Sequence, residues 1–305
     1  MMENNDPTKS LNEGGVFEEK EVIIGYKPDL EIVVIPQVIR RETMAVIEVA
    51  VNLNRKDGAT DVKEELTVEG SEKLNNCLLK LLKEGDVQGF NALKGKIKER
   101  FPDFTPRFPN LCLARADLSR ADLSGLDLSL ANLNRSILHG ACFFGTHLNR
   151  ASLISADLSE ANMNEANLDK ANLTWANLTG AMLRGADLSW ARLCGAKMSG
   201  VKMVGANLTF ANLACVDLSG VSLYEVNLAH ADLSRADVSN ACLKGSNIEG
   251  VNLTNVTGVT SEQLSEAKNL VKIKVNTREL RELVERAIDL SAEKAKKSIE
   301  LLGDK

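Results

Sequence analysis

The amino-acid sequence predicts a mainly β solenoid whose chain turns a corner every five residues, and three observations carry that prediction. Every fifth residue from Leu113 to Leu253 is Leu, Met, Phe, Val or Ile, without a slip in register. The residue two places earlier is nearly always Ala or another small or β-branched residue, as in A-D-L-S-R and A-N-L-T-G. All eleven glycines between Leu113 and Leu253 occupy the last place of a repeat. Neither common element can use a strict period of five. On an α-helix five residues advance about 500°, which scatters the leucines around the cylinder. On a flat strand an odd step puts successive leucines on opposite faces. A single apolar side results only if the chain bends once per repeat and coils on itself.

Within one repeat, extended residues two apart point the same way, so Ala116 and Leu118 face inward and Asp117 faces outward. Ser119 and Arg120 then make the corner. One repeat buries almost nothing; the stack of coils supplies the core, with backbone bonds between layers as in a parallel sheet. The glycines count the sides. Nine of the eleven fall in two neighbouring classes of a twenty-residue period, whereas a fifteen-residue period scatters them. Twenty residues make a four-sided coil with two smooth corner columns, because glycine suits corners that need positive φ. The other two corner columns are bulkier. One carries Leu130, Arg150, Lys170, Trp190, Phe210 and His230; the other runs through Arg115, Arg135 and Trp175 to Arg235. Val201, Val216, Val221, Val226 and Val251 replace Ala and are expected to widen their coils, and Phe143 replaces a core Leu.

The tandem A(D/N)LXX pattern from Leu111 to about Val256 resembles the pentapeptide-repeat family. The resemblance implies a right-handed quadrilateral β-helix, in agreement with the glycine count. It implies no single activity, since members include gyrase-binding DNA mimics alongside many proteins of unknown role.

The flanks read differently. Residues 1–21 are polar and acidic and are expected to be disordered, with no signal peptide visible. Residues 22–104 read as a small α+β segment that caps the rod. Within it, EIVVIPQVI and TMAVIEVAVNL are strand-like. Ser71 to Lys83 is an amphipathic helix with Leu74, Leu78, Leu81 and Leu82 on one side, and Asp86 caps a second helix running to about Arg100. The repeat rod is assigned to 105–257. Residues 258–305 form a C-terminal cap: a short helix with a Thr260–Gln263 capping box, a strand at VKIKV, and a final amphipathic helix capped by Asn276. The apolar stripe of that last helix, including Leu280, Val284, Ala287 and Ile288, suits docking on its own rod or, as an alternative, homodimer formation.

Composition narrows the function. The six cysteines show no CxxC pair, which points to a reducing, cytoplasmic setting, and no apolar run reaches membrane-spanning length. Residues 111–255 hold 13 acidic against 11 basic side chains. That balance supplies neither the negative excess a DNA mimic needs nor a basic stripe for nucleic acid. No nucleophile–base pair and no phosphate-binding glycine loop is present, and His139, Cys142 and His147 do not converge as metal ligands on a four-sided coil. No catalytic, cofactor or metal residues are assigned. The Asp column reads as a solubilising outer face.

One feature stands above this background. Aromatic residues are only 4% of the chain, yet Trp190, Phe210 and His230 share one corner column on consecutive coils, with Trp175 one corner away and Arg192 beside Trp190. Trp and Arg favour interface hot spots. The reading is a non-enzymatic, rigid protein-interaction scaffold with an unidentified protein partner. The alternatives are a DNA-mimicking regulator of a topoisomerase such as gyrase, and an N-terminal ligand-binding module carried on the rod.

Overall fold

The computed structural model describes residues 68–303, with side chains from 71 to 297. The expected disorder of 1–21 and the strand-like stretches between Glu31 and Leu53 lie outside the described residues. The elements are α1 (Val68–Glu84), α2 (Val87–Arg100), the coiled rod, α3 (Ser261–Ser265) and α4 (Arg278–Gly303).

The rod is a four-sided coil. Parallel bridges join each outward residue to the one twenty positions on, from Arg107↔Asp127 through Asp117↔Ile137 to Asp237↔Thr257. Each side contributes one bridged residue rather than an extended strand, which refines the mainly β expectation: a side only three residues long leaves room for a single bridge. The bond pattern repeats from coil to coil. Leu118 N–H donates to Ile137 O (2.8 Å), Ile137 N–H donates to Ala116 O (2.9 Å), and Arg120 N–H donates to His139 O (2.9 Å). The inward leucines and alanines are buried along the whole rod, Leu123, Leu173 and Leu213 among them. Each such Leu contributes about 2 kcal/mol of apolar burial. Where Ser136, Thr146 and Ser246 take the small inward place, their hydroxyls donate to the carbonyls of Leu133, Leu123 and Leu243.

The corners explain the polar letters of the repeat. Ala121 N–H closes back on Leu118 O (3.0 Å), and Arg120 between them stands at φ 60°. Positive φ at the third turn residue alone is the mark of a type II turn. Every corner of the rod adopts it, whether filled by glycine, as at Gly125 (φ 65°), or by Trp190 (φ 59°) or Glu165 (φ 58°). The Asp or Asn before the corner is therefore more than a solubilising face. Asp117 Oδ1 accepts from the N–H (3.0 Å) and hydroxyl (2.7 Å) of Ser119, and Asn177 does the same for Thr179. Where Ser152 and Met182 lack that carbonyl, Asn134 and Asn164 of the coil before accept from Ile154 N–H and Arg184 N–H at 2.8 Å.

The valines act unevenly. Val201 stacks beneath Val221, and Val216 replaces Ala on the adjoining side. There the bridges Lys197↔Asp217 and Lys202↔Ser222 persist. Among the described residues, however, no hydrogen bond joins Met198 N–H to Asp217 or Met203 N–H to Ser222. Val226 and Val251 leave their sides fully bonded, so the missing ladder bonds gather around Val201, Val216 and Val221, with Gly195 N–H at the adjoining corner also unbonded to Ala214, rather than recurring at every valine.

Each end is closed by a flank. Leu74, Leu78 and Leu82 of α1 and Phe90, Leu93 and Ile97 of α2 join the rod core. Asp86 caps α2 by accepting from Gly89 N–H. Side chains of α2 replace the coil missing below residues 120–124. Asn91 Oδ1 accepts from Asp122 N–H (2.7 Å), and Asn91 Nδ2 donates to Arg120 O (3.2 Å). Buried Lys94 donates to the carbonyls of Asp122 (2.9 Å) and Ser124 (2.7 Å) and to the Asp122 carboxylate (2.9 Å). Burial pushes Lys94 down and Asp122 up. At Asp122 the hydrogen bonds from Lys94 and Ser124 more than reverse it, holding the carboxyl below its ordinary value. The cap is partial: among the described residues the N–H groups of Cys112 and Asp117 have no protein acceptor.

At the other end Thr260 and Gln263 form the capping box of α3, and Gln263 Nε2 donates to Val238 O (3.1 Å) and Ala241 O (3.0 Å). The chain then wraps two further sides through single bridges, Asn247↔Lys268 and Asn252↔Lys274, in place of the strand expected at VKIKV. The cap of α4 is Thr277, whose hydroxyl accepts from Leu280 N–H; Asn276 instead pairs with Asn255. Leu280 and Ala287 are buried on the rod end and Ile288 is exposed, while Lys294 bonds Ser265 and Glu266.

Two outcomes follow. Lys94→Met keeps the buried stem but leaves two carbonyls without donors, a loss of about 2 kcal/mol. Amide exchange in the first coil should accelerate accordingly while amides near Leu193 stay unchanged; equal protection at both places would refute the capping role. At Asp157, burial pushes the carboxyl up, but hydrogen bonds from Ser159 and Asn177 hold it below 3.8. Its stabilisation is complete above that value and is lost as pH falls through the lower folded value. Asp157→Asn, which can still accept from Ser159, should leave neutral-pH stability nearly unaltered and flatten the acid limb of an unfolding-versus-pH curve. An unchanged limb would count against this account.

Candidate functional site

Corner residues twenty apart share the same backbone angles, so their side chains leave the rod in parallel. Trp190, Phe210 and His230 stand at φ 59°, 59° and 60°. Their rings stack in sequence, Trp190 on Phe210 with centroids 4.3 Å apart and 12° between planes, and Phe210 on His230 at 4.9 Å and 11°. These spacings match the layer repeat of stacked β coils, about 4.8 Å. Each pair adds about 0.5–1.5 kcal/mol beyond its burial. The ladder remains open, with Trp190 at 52% and Phe210 at 42% exposure and no described segment covering it.

Trp175 does not join the ladder. It stands 65% exposed on the next corner column. Arg192 lies on the side between the two columns, bridged to Asn172 below and Asn212 above, with its side chain exposed. The five residues thus border or occupy one side of the rod.

Two residues that the repeat alone passed over complete this arrangement. A Cβ at Gly250 would lie 2.4 Å from His230 Nδ1, and one at Gly195 would lie 2.3 Å from Trp175 Cε3. These glycines are seats across which the rings lie. Their signal was present: they are the two glycines outside the smooth corner columns, each one coil after an aromatic residue.

The coil also sorts charge that the linear count averaged away. The side of Arg192 with its two bordering columns carries Arg115, Arg135, Arg150, Lys170, Arg192 and Arg235 against the single acid Asp232. Between residues 111 and 255 the remaining sides and corners hold twelve acidic against five basic residues. The expectation that no basic stripe exists is therefore corrected, because a twenty-residue coil stacks residues that are far apart in sequence. Lys170 is paired with Asp169 at 3.0 Å; among the described residues the five arginines form no ion pair on this side. The histidines are dispersed: His139 bonds Ser159 (3.0 Å), and among the described residues no three His, Cys, Asp or Glu side chains are placed to hold a metal ion. All six cysteines are free thiols, and no described helix is long and apolar enough to cross a membrane.

Gly250→Ala would force a Cβ onto the His230 ring at a corner with φ 63°. The expected cost is about 1–2 kcal/mol, with loss of the ring-current shifts of His230 in proton NMR. Unchanged His230 resonances would show that the seat is dispensable.

The profile described as pentapeptide repeats matches eight copies, over residues 112–150, 146–185, 171–209, 186–223 and 211–250. Among solved structures the chain is similar to HetL, a pentapeptide repeat protein involved in heterocyst differentiation regulation from the cyanobacterium Nostoc sp. strain PCC 7120. Identity is 27%, covering 59% of this chain and 93% of HetL, at a TM-score of 0.32. A pentapeptide repeat protein from the Arabidopsis thaliana thylakoid lumen is 31% identical, covering 39% of this chain and 69% of that one, at a TM-score of 0.25. QnrB1, a plasmid-mediated fluoroquinolone resistance protein, is 20% identical, covering 59% of this chain and 84% of its own, at a TM-score of 0.32. No curated protein is significantly similar to the chain in sequence.

Proposed function

Because the chain belongs to the pentapeptide-repeat family, we propose that it is a right-handed quadrilateral β-helix without catalytic activity that serves as a rigid scaffold for protein–protein interaction in a reducing, cytoplasmic setting. The observation that carries this reading is the ladder of three stacked rings, solvent-facing and bordered by Arg192 and Trp175. A rod that needs only Leu and Ala inside has no packing use for outward rings. Large exposed aromatics rimmed by polar residues are characteristic of contact surfaces. The rod presents them without loss of conformational freedom on binding, since each corner is already held by its turn bond and by the coils on either side.

Pairing of two copies through α4 is less favoured, because Leu280 and Ala287 of its stripe are already covered by the rod end. The DNA-mimic alternative needs one strongly negative face. Here the acidic residues are divided among three sides and interrupted by Lys197 and Lys202. The described part of the N-terminal flank is taken up with capping the first coil, which favours a cap over a ligand-binding module.

The test replaces Trp190 and Phe210 with Ser in the full-length chain and compares proteins co-purified from native cells by the two forms. Losing the two ring stacks should cost about 1–3 kcal/mol, so the melting temperature should fall by a few degrees with the rod still folded while a defined set of partners is lost. Undiminished recovery with the variant would sink the proposal.

A further inference from the structure

The scaffold reading leaves the chemistry of the partner open, and the charge sorting of the rod addresses it. We infer that the side bearing Arg192 docks an acidic protein segment whose apolar side chains meet the ring ladder; this rests on the scaffold reading. Five of the rod's eight arginines lie on this one side or its borders: Arg115, Arg135, Arg150, Arg192 and Arg235. All five are exposed. The only acid among them is Asp232, whose carboxylate is occupied by Ser234 N–H (3.0 Å) and Asn252 Nδ2 (2.8 Å). The lysines of the rod sit elsewhere or, like Lys170, are already paired. Guanidinium groups present planar forks that match carboxylates. Placed on a flat face beside an apolar ladder, they form a surface complementary to an element that alternates acidic and apolar residues.

A polyanionic nucleic acid would also seek the arginines, but two observations disfavour it. The rings are 4.3 and 4.9 Å apart, which leaves no space for a base between them, so both faces of Phe210 are closed to base stacking. Between residues 111 and 255 the other three sides and their corners carry twelve acidic against five basic residues, a field that repels a long polyanion while a short acidic protein element touches only the basic side.

The experiment titrates the full-length chain into three labelled probes by fluorescence anisotropy: a peptide of repeated Glu-Glu-Leu-Leu-Phe, the same peptide with Lys for Glu, and oligo(dT) of equal length. The acidic peptide should bind saturably, weaken about tenfold or more as salt rises toward about 0.3 M, and weaken at least about tenfold in R135E/R192E. The lysine peptide should not bind. The salt dependence of the unmodified chain needs no variant, so it stands even if R135E/R192E folds poorly. Tighter binding of oligo(dT) than of the acidic peptide overturns the inference in favour of a nucleic-acid face. So does the absence of saturable acidic-peptide binding. Binding that is lost in W190S/F210S but unchanged in R135E/R192E keeps the scaffold and overturns the acidic partner.

Discussion

A turn in which one residue adopts positive φ, repeated at every fifth position, is the constraint on which this molecule depends. Each such corner redirects the chain, and four of them return it to its starting direction twenty residues on, where bridges such as Asp117↔Ile137 lock the layers together. The leucine core is a consequence of this closure, since only after four corners does Leu118 meet Leu138. Arg120, Glu165 and Trp190 accept a left-handed backbone that costs each of them energy relative to glycine. They are held there by the turn bond, by the Asx acceptor before the corner, and by the ladder bonds above and below. No single corner is stable alone; the stack sustains them all, as expected of a solenoid whose repeats stabilise only their neighbours.

The same closure makes the ends and the surface into distinct chemical problems. An interior coil satisfies its amides on the coils next to it, whereas the terminal coils must borrow donors and acceptors. Asn91 and Lys94 from α2, and Gln263 from α3, supply them through side chains. These are longer reaches than a backbone bond, and they close some sides while leaving others to water. On the surface, every outward position is copied at a fixed interval along a column. A column can therefore accumulate one chemistry, and rings accumulate on one corner, arginines around the side beside it, and carboxylates elsewhere.

This ordering ties function to the rod's geometry. Rings on a flexible loop would lose freedom on binding; rings on consecutive corners are already aligned. Gly195 and Gly250 show that the alignment is accommodated by their neighbours, since each lacks the Cβ that would collide with an aromatic ring one coil earlier.

By itself the sequence determined the period, the inward leucines, the four-sided coil, the smooth and bulky corners, the capping box at Thr260 and the shared column of Trp190, Phe210 and His230. Each of these follows from short-range repetition that a linear text displays. The tertiary structure alone decided what depends on residues far apart in the chain. It placed Lys94 under Asp122 and gave the capping role before α4 to Thr277 while Asn276 turned to Asn255. It gathered the missing ladder bonds around Val201, Val216 and Val221 and brought five arginines to one side and its borders. The physical reason is that hydrogen bonds and electrostatic fields act through space, and a coil brings into contact residues whose spacing in sequence carries no local signal.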